Sequence, residues 1–189
     1  MNRIVLFALP FTLLACNENA SLTEKTDTVE VKSVTVPVDP AVQKLNDLKN
    51  LSPLGLDELT AWLPAQVTGL KRTNLSMSNN VGYGEAYADY EKNRKTDMRI
   101  SVYDCAGESG ANLYNRTYAS KLQASQDTTD GYTKVVDFRG GKAIEHFEKS
   151  TNLSSFTFMG NERIMVTITG RNFEPAALKE AAEGLQKKS

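Results

Sequence analysis

The sequence predicts an α+β fold: an antiparallel sheet of about six strands with helices packed on it, in the element order ααββαββββα. Two observations predict it. Runs rich in β-branched and aromatic residues follow one another across short glycine-containing turns, Gly140-Gly141 and Gly160-Asn161, so neighbouring strands pair as hairpins rather than as parallel crossovers. Segments with apolar residues at helical spacing flank and interrupt these runs, and three of them open on a proline, which suits the first helical position.

The elements follow in order. Asp39 is a good N-cap, Pro40 fits the first turn, and Val42, Leu45, Leu48 and Leu51 supply the apolar stripe of a first helix. Ser52-Pro53 starts a second, short helix with Leu56, Leu59, Trp62 and Leu63 on its apolar face, and Pro64 stops it. No element is assigned between Pro64 and Val81. From Val81 to Tyr90 the period changes to two, with Gly82, Gly84, Ala86 and Ala88 on one strand face and Tyr83, Glu85, Tyr87 and Asp89 on the other. The small face admits a closely packed helix. The large face offers a tyrosine surface for a ligand or partner.

Met98, Ile100 and Val102 mark a second strand that closes a hairpin with the first. Ala111–Leu122 is helical, with Leu113, Tyr114, Tyr118 and Leu122 among its apolar positions. A four-strand meander then runs through Tyr132–Phe138, Ala143–Phe147, Ser155–Met159 and Arg163–Thr169, and Glu174-Pro175 opens a last helix on Leu178, Ala181, Ala182 and Leu185. By element order alone, the body resembles the small α/β/α sandwiches of the Mog1/PsbP-like type.

The chain has 189 residues, 40% hydrophobic and 24% charged, with a formal net charge of −1. That is room for one domain of about 100–150 residues plus a leader. A near-neutral chain lacks the basic surplus of a nucleic-acid binder, so no nucleic-acid partner is expected.

The leader is explicit. Arg3 precedes an apolar run from Ile4 to Leu14, which at eleven residues is too short to span a bilayer. Leu13-Leu14-Ala15-Cys16 then resembles the lipobox of bacterial lipoproteins. The resemblance implies a signal peptide over 1–15, a diacylglyceryl group on Cys16 as the new N-terminus, and anchorage in the bacterial envelope. Asn17, where an aspartate would be the usual inner-membrane retention signal, implies the periplasmic face of the outer membrane. Two or more acyl chains hold a protein where one is marginal. Residues 16–38 form the lipidated cysteine and a polar tether, although Val29, Val31, Val34, Val36 and Val38 alternate as an edge strand would, and 39–189 form a single α+β domain. With Cys16 lipidated, Cys105 has no disulfide partner.

Candidate chemistry is sparse. Gly107-Glu108-Ser109-Gly110-Ala111 resembles the elbow of α/β-hydrolases, and downstream acids (Asp127, Asp130, Asp137) precede the only histidine, His146, in the matching chain order. A small serine hydrolase using Ser109 and His146 is therefore an alternative, against which stand the short body and the missing parallel βαβ series; Gly-Glu-Ser-Gly is also ordinary helix-start composition. Cys105 with His146 would make a thiol pair, and Asp127–Gly131 has part of a calcium loop without its closing glutamate. One histidine and one remaining cysteine cannot supply a zinc site, so neither metal nor cofactor is expected. The leading expectation is a tethered binding or protein-interaction module whose surface includes Tyr83 and Tyr87, with an envelope protein or a small ligand as partner; an immunity or inhibitor lipoprotein is a further alternative.

Overall fold

The computed structural model describes residues 39–79, 81–91 and 97–185, so the expected signal peptide, Cys16 and the tether lie outside the described residues. Helix α1 (Pro40–Asn50) begins where its cap directs, with the Asp39 carboxylate accepting a hydrogen bond from the Ala41 N–H at 2.8 Å. Helix α2 is confined to Leu56–Thr60. Ser52-Pro53 does not start it, because the Leu54 N–H is spent on the carboxylate of Asp104 at 2.7 Å, which holds the preceding segment in an extended connection. Helix α3 (Gly107–Thr117) starts ahead of the expected Ala111 and ends in a 3-10 turn at Ala119–Lys121, and helix α4 (Pro175–Gly184) opens on its proline.

Among the described residues nine strands, β1 (Gln66–Val67), β2 (Leu70–Ser78), β3 (Glu85–Glu91), β4 (Asp97–Asp104), β5 (Gln126–Thr128), β6 (Gly131–Phe138), β7 (Gly141–Glu148), β8 (Leu153–Met159) and β9 (Ile164–Arg171), form one antiparallel sheet. Their order is β1-β2-β3-β4-β9-β8-β7-β6-β5. Two meanders are thus sutured where β4 lies beside β9, and α3 carries the chain from the middle of the sheet to its far edge. This overturns the expected sheet of about six strands and the Mog1/PsbP-like arrangement drawn from it.

The unexpected strands are β1, β2 and β5. β1 and β5 are too short to show a period. β2 is long, but a bulge between Arg72 and Asn74 breaks its alternation: Arg72 and Leu75 share a face although they are three residues apart. Its polar composition hid the rest. The turn between β6 and β7 also shifts by one residue from expectation, with Arg139 and Gly140 at φ 50° and 78° and Phe138 paired with Gly141. Positive φ at both central residues is the hairpin geometry that glycine accommodates without strain.

The sheet carries a packed cluster on each face. On one face, Ile100 and Val102 of β4, Val166 and Ile168 of β9, and Phe156 and Phe158 of β8 pack with Leu59 of α2 and Leu178 of α4. Trp62 packs against Gly160, where a Cβ would fall 2.6 Å from the indole. Each such large side chain contributes about 1.5–3 kcal/mol by leaving water. On the other face a second, smaller cluster joins Leu113 and Tyr114 of α3 and Leu48 of α1 to Ile144 and Met165 of the sheet.

A buried ion pair ties the layers together. Asp104, fully buried at the end of β4, receives the Arg163 guanidinium at 2.9 and 2.7 Å and the backbone N–H groups of Leu54 and Ala106. Arg163 also donates to the Ser52 carbonyl at 2.7 Å. One carboxylate therefore joins the α1–α2 connection, the β8–β9 turn and the start of α3.

Candidate functional site

The second sheet face is only partly covered. In an antiparallel sheet, residues directly opposite one another project to the same side, so the register can be read across the strands. One row runs Asn74, Asp89, Arg99, Thr169, Ser155, His146, Thr133, Gln126, crossing from β2 to β5 without an apolar residue. The row above it places Tyr87, Ser101, Thr167 and Thr157 side by side. Helix α3 and its 3-10 turn roof only the rows nearer Ile144 and Met165. Between roof and floor lies a cleft of about 640 Å³, within the usual range for small-molecule sites of about 300–1,000 Å³.

Strand geometry explains the floor. β8 and β9 place phenylalanine and isoleucine on the core side, so the intervening Ser155 and Thr157, and Thr167 and Thr169, necessarily face the cleft. Thr157 and Thr167 share a hydrogen bond of 3.1 Å across the strands, and Thr133 bonds His146 Nδ1 at 3.0 Å. Ser155 and Thr169 make no side-chain hydrogen bond among the described residues. The α3 wall contributes Leu113, Thr117 and, from the 3-10 turn, Lys121. At one end Tyr83 meets Tyr103 edge to face, with ring centroids 6.3 Å apart. Burial raises the Tyr103 hydroxyl above its ordinary pKa.

Beyond Thr169 the same face turns charged. Arg99 donates to both Asp89 oxygens, at 2.7 and 3.2 Å, and Asn74 donates to the same carboxylate. These hydrogen bonds, chiefly Arg99's, hold the Asp89 carboxyl below the usual carboxylate range and the guanidinium above its own. Arg99 also stands over the Tyr87 ring, 4.3 Å from its centroid.

The residues singled out in the sequence fall in different places. Tyr83 lines the cleft, although it precedes β3 rather than belonging to it. Tyr87 lies half-buried on the same face. Tyr90 is in the opposite core, its hydroxyl donating to the Pro64 carbonyl at 2.9 Å. His146 is on the cleft floor. Ser109 is not beside it: it stands inside the first turn of α3 and packs on Gly82, where a Cβ would fall 2.7 Å from its Oγ. Gly110, in the same motif, brings α3 onto the end of β4, and a Cβ there would meet the Cys105 carbonyl carbon at 2.5 Å. The elbow-like glycine thus has a packing role.

Cys105 is fully buried, and desolvation pushes its thiol up to about 12. Asp130 accepts from the Ser150 N–H and hydroxyl, closing a turn. Arg139, at the β6–β7 hairpin tip, donates to the Ala182, Glu183 and Leu185 carbonyls and so caps α4. Among the described residues, no helix is long and apolar enough to cross a membrane.

Sequence reasoning missed Tyr103 and the hydroxyl floor. The signal was the pair of strand segments Ser155-Phe156-Thr157 and Thr167-Ile168-Thr169, in which hydroxyls recur at every second position. No family model, curated protein or solved structure gave a significant match to this chain. The cleft therefore has to be interpreted from its own chemistry.

Proposed function

We propose that this chain is a bacterial envelope lipoprotein, anchored through lipidated Cys16 on the periplasmic face of the outer membrane, whose domain is a binding module. The observation that supports binding is the cleft itself: a half-roofed volume on one sheet face, where a row of polar side chains runs beside the apolar Ile144, Leu153 and Met165. Tyr83 and Tyr87, on that face, offer contact area with a polar tip at low entropic cost. The envelope reading is supported by Arg3, the apolar run Ile4–Leu14 and the sequence Leu13-Leu14-Ala15-Cys16.

Two measurements test this. Metabolic labelling with an acyl analogue should mark the wild-type chain and leave Cys16→Ala unlabelled and mislocalised; a wild-type chain that takes no label and washes off membranes ends the anchoring reading. Crosslinking in intact envelopes should recover a partner or ligand that Tyr83→Ala and Tyr87→Ala release. The binding reading fails if either substitution instead costs the about 3–5 kcal/mol typical of a truncated core aromatic, with recovery unchanged.

A further inference from the structure

Resting on the reading of the cleft as a binding site, we infer that its ligand is a neutral carbohydrate, held by the hydroxyl floor between β8 and β9. The backbone N–H and C=O groups of these strands are consumed by the sheet ladders, so the floor offers a ligand only side chains. The polar ones among them are all hydroxyls, Ser155, Thr157, Thr167 and Thr169. A hydroxyl both donates and accepts, and its natural complement is a ligand group that does the same. Peptide or carboxylate ligands would call for fixed donors or positive charge, which β8 and β9 do not supply; Gln126, His146 and Lys121 of the lining come from other elements.

Four further features agree. Ser155 and Thr169 face each other across β8 and β9 and keep their hydroxyls unbonded among the described residues. Neighbouring strands stand about 4.8 Å apart, close to the separation of equatorial hydroxyls on alternate carbons of a six-membered sugar ring. Besides His146, the lining carries one acid, Glu85, and one base, Lys121, which offset each other. The tyrosine pair at the cleft end supplies aromatic surface for the C–H-rich face of a sugar ring.

The experiment uses the full chain, purified in detergent with its threonine methyl groups isotopically labelled for NMR. It is titrated separately with maltotriose, with tri-N-acetylchitotriose, with a neutral tripeptide and with a medium-chain fatty acid. A saturable shift of the Thr157, Thr167 and Thr169 methyls with either sugar is expected. Ser155→Ala with Thr169→Val, which removes both unbonded hydroxyls without breaking a protein hydrogen bond, should weaken that affinity about tenfold while leaving the melting temperature unchanged. Sugars that move no cleft methyl overturn the inference, and so does a double variant that binds as the wild type. If the tripeptide or the fatty acid moves those methyls while the sugars do not, the cleft remains a binding site and only its ligand class is wrong; if no probe moves them, the binding reading loses its support as well.

Discussion

Asp104 shows how much one residue can organise. Its carboxylate is fully buried and satisfied by four donors, so its charge is tolerable only as long as Arg163 faces it. Asp104→Ala should destabilise the domain by about 3–5 kcal/mol in urea unfolding, because it strands the guanidinium and two backbone donors. A loss below 1 kcal/mol, on the order of an exposed pair, would show that solvent replaces the clip. Asp89 poses a different test. Its pKa is lowered on folding, so its contribution is fully present above the unfolded value near pH 4 and disappears as pH falls through the folded value. Asp89→Asn should therefore lower stability at neutral pH and flatten the acid limb of the stability profile. An unchanged acid limb would show that the Arg99 pair is screened, as its half-exposed guanidinium allows.

At the scale of elements, the close approach of α3 to β4 depends on Gly110. Alanine is the better helix former by up to about 1 kcal/mol, yet its methyl would enter the Cys105 backbone, and overpacking costs about 1–3 kcal/mol. The clash wins in this comparison, so Gly110→Ala should lower the unfolding free energy; a stabilised variant would mean that α3 can retreat from the strand. The same element shows why some of the fold was legible in the sequence and some was not. α1, α4, β3, β4 and the meander from β6 to β9 could be read because caps, prolines and unbroken period-two runs are local signals. β2 was hidden by a bulge that brings Leu75 onto the face of Arg72 although their odd spacing in the sequence puts them out of phase, and the start of α2 by a tertiary hydrogen bond from Leu54 that no nearby residue announces. The tyrosines of the site were visible as residue types. Its hydroxyl floor was not, because serine and threonine in a strand look alike whether they face solvent or a cleft.

For the whole molecule, the junction of β4 with β9 decides cooperativity. Each meander exposes an unpaired inner strand without the other, and Ile100 faces Ile168 across the seam. Ile168→Ala should cost about 2–5 kcal/mol and weaken hydrogen-exchange protection equally in β3 and β8, which flank the seam on either side. Protection lost in one meander alone would show that the halves unfold separately. The seam also fixes where the single tryptophan reports. Trp62, 6% exposed and packed on Gly160, belongs to the core on the opposite face from the cleft. Indole emission, excited selectively beyond the tyrosine band, is therefore a built-in gauge of packing on the side away from the cleft: it should shift to the red when the sheet opens and stay constant while a ligand fills the other side, so that occupancy and integrity can be followed in one cuvette as separate signals.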